Sequence, residues 1–157
     1  MTLHLIRHAH AVAAGENPLR PLSPRGRTQV AQLAAFFRAN GRLRPVEIWH
    51  SRLVRSRETA VLLAQGLDFS GPLVETAGLE PEDDPRAILG RVTGAPDGLA
   101  IVGHEPHLNA LACLLMHGVD GPPRFELKKG ACLALERDEG KWQVRWLIDP
   151  ELIGPGP

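Results

Sequence analysis

"GLAIVGH" (residues 98–104) is the stretch on which the fold turns. It is an unbroken apolar run with a glycine at its start and another just before its final histidine. A strand wetted on one face alternates apolar and polar residues, and this one does not. It therefore reads as a central strand buried on both faces, which requires a mostly parallel sheet with helices packed on each side. The run ends in Gly103 and His104, so the same strand delivers an imidazole to one edge of the sheet.

The neighbours of this strand agree with that layout. A helix is expected from about Pro106 to His117, stopped by Gly118. Beyond it, "ACLALERDEGKWQVRWLID" (131–149) reads as two strands joined at "DEG", with Trp142, Val144, Trp146 and Ile148 alternating with polar residues. Upstream, residues 67–98 form an irregular stretch. It holds a short strand at "PLVE" (72–75), an acidic turn "LEPEDDP" (79–85) and a short helix over Pro85–Val92. At the amino end, "TLHLI" (2–6) is a strand and a loop follows from Ala9 to Leu22. Ser23 is an N-cap with Pro24 at the first helical position, where its missing N–H costs nothing. Val30, Leu33, Ala34 and Phe37 give that helix an apolar face, and "NG" (40–41) ends it. "VEIWH" (46–50) is a further strand, followed by a helix from about Leu53 to Gln65 that Gly66 stops.

Strand and helix alternate three times before a final hairpin. The expected architecture is a three-layer α/β/α sandwich with a mostly parallel central sheet and a C-terminal hairpin, forming a single compact domain over residues 1–157. The composition, 43% hydrophobic and 23% charged, is that of an ordinary globular chain. Eighteen basic side chains balance eighteen acidic ones. Neither a nucleic-acid nor a membrane partner is expected, and a monomer is. Cys113 and Cys132 lie in apolar runs without C-x-x-C spacing, so they read as buried free thiols in a cytoplasmic protein.

In such sheets ligands collect beyond the carboxyl ends of the strands. Arg7 and His8 follow the first strand, Ser51, Arg52 and Arg55 follow the second, and His104 follows the central one. Two arginines and two histidines at one edge repel one another unless an anion sits among them. A phosphoryl group fits, because guanidinium presents a donor fork to tetrahedral oxygens. Lysine is absent from all three strand ends, which points to specific recognition. Cations around His8 lower its pKa and leave a ring nitrogen free to attack phosphorus, while the arginines stabilise charge on the transferring group. His104 adds a hydrogen bond to the same oxygens, Ser51 is a helix cap that can touch a ligand oxygen, and Arg52 is the understudy for Arg55.

"LIRHAHA" (5–11), "SRLVRSRETA" (51–60) and "IVGHEP" (101–106), in this order, resemble the histidine phosphatase superfamily, the phosphoglycerate-mutase-like proteins. "PLSPRG" (21–26), "VGHEPHL" (102–108) and the short chain are similar to its SixA-type phosphohistidine phosphatase branch. The resemblance implies that His8 is transiently phosphorylated, with Arg7, Arg55 and His104 forming the phosphate pocket. Larger relatives carry an inserted lid that supplies a proton-donating carboxylic acid. Here only residues 67–98 can do so, and Glu80 leads Glu82, Asp83 and Asp84 as the candidate. A phosphoramidate can dispense with that acid once its imidazole is protonated.

"HEPH" (104–107) spaces its histidines at i and i+3 around Pro106, whereas zinc-type H-E-x-x-H needs i and i+4 on one helix. No metal or cofactor is expected. The functional expectation is a phosphatase using a covalent phosphohistidine intermediate and acting on phosphohistidine of a signalling protein. The alternatives are a small-molecule phosphomonoesterase and a non-catalytic phosphate-binding module.

Overall fold

A computed structural model describes residues 1–154 and places the apolar run Leu99–Gly103 (β4) inside a six-stranded sheet, every residue of it buried. The strands run in the order β3-β2-β4-β1-β5-β6, where β1 is Thr2–Arg7, β2 Glu47–His50, β3 Leu73–Glu75, β5 Cys132–Asp138 and β6 Lys141–Ile148. β3, β2, β4 and β1 are parallel, while β5 runs antiparallel to β1 and β6 antiparallel to β5.

Alternation along the strands splits the core in two. Leu3, Leu5, Leu99, Ile101, Leu133 and Leu135 face α3 (Arg86–Thr93) and α4 (His107–His117). Ile6, Ile48, Ala100, Val102 and Cys132 face α1 (Pro24–Asn40) and α2 (Val54–Gly66). This is the three-layer sandwich that a doubly buried strand demands. A short helix absent from the sequence reading, α5 (Pro150–Ile153), packs on α1 and is capped by the Asp149 side chain, which accepts from the Glu151 N–H. Both cysteines are free and buried, and burial pushes the Cys132 thiol up.

α1 begins and ends as its sequence dictates. The Ser23 Oγ accepts from the Gly26 N–H at 3.1 Å, and Gly41, with φ +68°, closes the helix in the left-handed region that favours glycine. Two details differ from the sequence reading. Gly66 does not stop α2 but is its last residue, and a Cβ there would lie 2.5 Å from the Ala34 Cβ. The glycine is a contact point where α2 meets α1, with Leu67 as the cap. In β6 the register shifts opposite Ala134 and Leu135, so that Trp146 pairs with Ala134 but Val144 with Leu135. The extra residue, Arg145, reverses the facing of the strand. Trp142 joins the α3/α4 core and Trp146 and Ile148 the α1/α2 core, instead of all sharing one face.

The Gly66 contact sets propensity against packing. Gly66→Ala adds a better helix former, worth about 1 kcal/mol in open helix, yet it is expected to lower stability by about 1–3 kcal/mol because the added methyl drives α1 and α2 apart. Denaturant unfolding of Gly66→Ala and of Ala34→Gly/Gly66→Ala checks this, with the double variant recovering part of the loss.

Candidate functional site

β1 and β4 pair residue for residue up to Arg7 and Gly103, and the His8 N–H continues the ladder by donating to the Gly103 carbonyl at 2.9 Å. Their ends consequently lie side by side. The rings of His8 and His104 lie with centroids 5.0 Å apart, their planes tilted by 52°. β2 ends beside them: the Ser51 Oγ lies 2.6 Å from the His104 Nε2. Next along the chain, α2 is locked to the β1 end through Thr59, whose Oγ1 accepts from the Ala9 N–H at 3.0 Å and donates to the Arg55 carbonyl at 2.7 Å. Arg7, His8, Arg55 and His104 are thus brought to one edge by three separate strand ends.

Hydrogen-bond accounting fixes both imidazoles. The Ala9 carbonyl, 2.7 Å from the His8 Nδ1, can only accept. Nδ1 carries the proton, and Nε2 keeps its lone pair. His104 is oriented by Ser51, which is fully buried. Its oxygen already accepts from the Leu53 N–H at 3.3 Å, and among the described residues its proton has one acceptor in reach, the His104 Nε2. His104 then bears its proton on Nδ1, a buried donor with no protein partner. The Nε groups of Arg7 and Arg55 are likewise buried and unpartnered. Orphaned donors at one edge require an acceptor that the chain itself does not provide.

Electrostatics favour the same acceptor. The His8 pKa is pushed down to about 3, chiefly by burial and then by Arg55, Arg7 and Lys129, against the opposing hydrogen bond to Ala9. That of His104 falls to about 3 through burial first, and then through His8, Arg55, His107 and Arg7. Burial contributes more than the cations that the sequence brings to mind. Arg7 and Arg55 are also pulled down by burial, and no carboxylate among the described residues makes a salt bridge with either.

The remaining sequence candidates sit elsewhere. Ser51 is fully buried, and its hydroxyl is engaged with His104 and the Leu53 N–H. Arg52 is exposed and pairs with Glu80 at 2.8 Å, so the understudy arginine and the candidate acid neutralise each other at the β2–β3 side. Asp83 and Asp84 cap local turns by accepting from the Glu80 and Arg86 N–H groups. His107 is buried at the first position of α4.

Two contributors escaped the sequence reading. β5 is antiparallel, so the segment before it arrives at the same edge as the end of β1. There the Leu127 carbonyl accepts from Arg7 Nη1 at 3.0 Å, and Lys129 is held next to the end of β1 by its neighbour Gly130, whose N–H donates to the Arg7 and His8 carbonyls. The three strand ends after β1, β2 and β4 carry no lysine, as read from the sequence; Lys129 arrives from the segment before β5, and the direction of the terminal hairpin is the signal that points there. The other is Glu105, half-buried, whose carboxyl is pushed up by burial although Asn109 hydrogen-bonds both its oxygens and Arg7 lies near.

Residues 3–80 match the family model described as "Histidine phosphatase superfamily (branch 1)". Over these residues, just short of half of the chain, the protein is similar to the histidine phosphatase superfamily. Among solved structures it resembles that of the protein histidine phosphatase SixA complexed with tungstate, with TM-score 0.84 and 19% identity over 98% of this chain and 99% of that one. A phosphohistidine phosphatase SixA from Agrobacterium tumefaciens gives 0.77 at 19% identity, covering 95% and 97%. An alpha-ribazole-5'-P phosphatase from Escherichia coli K-12 gives 0.74 at 18% identity, covering 96% and 98%. No curated protein sequence matches the chain. The superfamily is a phosphatase class, and the likenesses, all below 25% identity, concern the fold.

A histidine whose folded-state pKa lies below its unfolded value near 6.5 binds its proton more readily once unfolded. Stability is therefore expected to be level above about pH 6.5 and to fall steadily from there toward pH 3. In phosphate-free buffer the imidazole ¹⁵N shifts of His8 and His104 should report neutral rings at pH 5. Saturating tungstate should raise both pKa values, because a dianion favours the imidazolium form.

Proposed function

We propose that this protein is a metal-independent phosphohistidine phosphatase that passes the phosphoryl group through His8. The observation that carries the reading is the pairing of two neutral imidazoles, centroids 5.0 Å apart, with complementary tautomers: a free lone pair on His8 Nε2 and a free N–H on His104 Nδ1.

The His8 Nε2 lone pair forms the new P–N bond as the bond from phosphorus to the leaving group breaks. Arg7, Arg55 and the His104 Nδ1–H are the donors to the equatorial oxygens while charge spreads over them. Positive charge left on the His8 ring is drained through Nδ1–H to the Ala9 carbonyl. Water then attacks the phosphoryl group on His8, the P–N bond breaks, and inorganic phosphate leaves with the water oxygen. Ser51 acts as a positioning residue by holding His104 in its donor tautomer.

The substrate reading rests on the leaving group. Glu80 Oε1 is engaged by Arg52 at 2.8 Å, so the pocket is not furnished with a free carboxylic acid on that side. An alkyl phosphate expels a basic alkoxide and needs such an acid, whereas a phosphohistidine leaves as a neutral imidazole after protonation of its own ring. Similarity to two SixA structures supports this choice, and one of those is a complex with tungstate, a tetrahedral oxyanion. Similarity to the alpha-ribazole-5'-P phosphatase supports a second reading, hydrolysis of a small phosphomonoester, with Glu80 swinging off Arg52 to donate the proton.

Phosphate release from a phosphorylated histidine-containing domain and from p-nitrophenyl phosphate separates the two. The protein-bound phosphohistidine is expected to turn over faster, unaffected by EDTA, and His8→Ala should abolish release from both. Rapid quenching under non-acidic conditions should show a phosphate adduct on the peptide carrying His8. An adduct on any other residue overturns the role assignment. Ser51→Ala should lower kcat about 10–100-fold with little change in KM and switch the His104 tautomer signature, while Ser51→Thr keeps both.

A further inference from the structure

Beyond the phosphate pocket, on the side facing β5, two loops place cations with nothing to neutralise them. The loop before β5 is stitched onto the end of β1: the Gly130 N–H donates to the carbonyls of both Arg7 and His8 at 3.1 Å, and the Arg7 N–H donates to the Ala131 carbonyl at 3.0 Å. This fixes Lys129 beside the nucleophile candidate. From the other direction the loop after β1 folds back through an Ala11–Leu22 bridge, and the Val12 N–H donates to the Pro21 carbonyl at 2.9 Å. Arg20 sits in this loop at φ +49°, a conformation that costs a non-glycine residue energy and persists only where the surroundings hold it. Its Nε donates to the Val12 carbonyl at 3.1 Å, which anchors the guanidinium by its root and leaves the two terminal nitrogens uncommitted.

Both side chains are only partly buried, and neither has a salt-bridge partner among the described residues. Their neighbours, by contrast, are matched: Arg25 lies 3.6 Å from Glu151, and Lys128 reaches Glu151 at 3.2 Å and Asp149 at 3.7 Å. Burial followed by Arg7, Arg20, Arg25 and Arg55 depresses the Lys129 pKa, and Lys129 in turn bears on His8 and His10.

Charge balance says how much anion this edge can take. Arg7, Arg55, Arg20 and Lys129 supply four positive charges, and Glu105 is the one carboxylate bearing on Arg7. A phosphoryl group brings about 1.5–2 negative charges. Roughly one positive charge stays unmatched, and it lies to one side, because the β2–β3 side is already neutral through Arg52 and Glu80.

We infer that Arg20 and Lys129 form a second anion-binding lobe, which recognises carboxylate side chains flanking the phosphorylated residue of an acidic protein segment laid along the β1–β5 end of the sheet edge. The inference rests on the proposed phosphatase reading and adds the chemistry of the substrate's surroundings. Partly exposed cations on two different loops suit side chains of an extended partner, because they reach outward beyond the phosphate pocket.

The test uses phosphohistidine peptides flanked by aspartates, serines or lysines, with phosphate release and fluorescence anisotropy measured in parallel. At low salt the aspartate-flanked peptide is expected to exceed the lysine-flanked one in kcat/KM and in affinity by about tenfold or more, and the difference should shrink at 0.5 M salt, taken as roughly the point where the Debye length drops below side-chain reach. Arg20→Glu/Lys129→Glu should invert the order of the peptides. An order that stays the same in the charge-reversed protein, or wild-type indifference to the flanks, overturns the lobe. So does a small bisphosphate that competes strongly while the flanks have no effect, since the lobe would then belong to a small substrate. If no peptide is hydrolysed, the phosphatase reading fails, and the anisotropy ratios still decide on the lobe.

Discussion

Four positive side chains and two imidazoles are packed at one edge of a sheet with a single half-buried carboxylate among them, and this crowding governs the rest of the site. Such an arrangement is tolerable only because the imidazoles are neutral and the guanidinia keep some contact with water. Burial drives the histidines to neutrality, which leaves His8 Nε2 with a free lone pair as a nucleophile candidate, while the contact with Ser51 leaves the His104 proton on Nδ1. A single physical cause therefore limits the stability of the fold at low pH and prepares its chemistry.

The scaffold around this edge is built to fix orientation. Backbone groups settle His8: the Gly103 carbonyl accepts from its main-chain N–H, and the Ala9 carbonyl accepts from its ring Nδ1–H. Thr59 couples the Ala9 amide to the first turn of α2, so that Arg55 cannot drift relative to His8 without breaking two hydrogen bonds. Ser51, at the end of β2, determines which nitrogen of His104 carries the proton. Each of these supports is a neutral hydrogen bond, worth only about 1 kcal/mol in stability, but together they hold directions that a loose loop would not.

In the proposed function, phosphate chemistry and partner recognition would occupy different lengths of the same edge. The two imidazoles lie at the ends of β1 and β4 at the middle of the sheet, a neutral ion pair closes the β2–β3 side, and unmatched cations extend over the loop leading into β5. A tetrahedral anion would be bound by geometry at the centre, while the flank would act through the longer-ranged attraction of charge, which steers a partner more than it grips it.

The sequence by itself determined the layers and the core constellation. The unbroken run Leu99–Gly103 could be buried only between two helix layers, and Arg7, His8, Arg55 and His104 follow strand ends that such a sheet must gather at one edge. Tertiary structure alone decided what depends on direction, register and proton position. The antiparallel course of β5 brought Lys129, which precedes that strand, to the edge where β1 ends, and the shift at Arg145 turned Trp142 and Trp146 to opposite faces. Gly66 proved to be a packing contact because the partner that fills the space beside it, Ala34, lies on another helix. The Ser51–His104 hydrogen bond and the Arg52–Glu80 ion pair were not legible either, because hydrogen bonds and salt bridges between residues far apart in the chain leave no periodic trace in it.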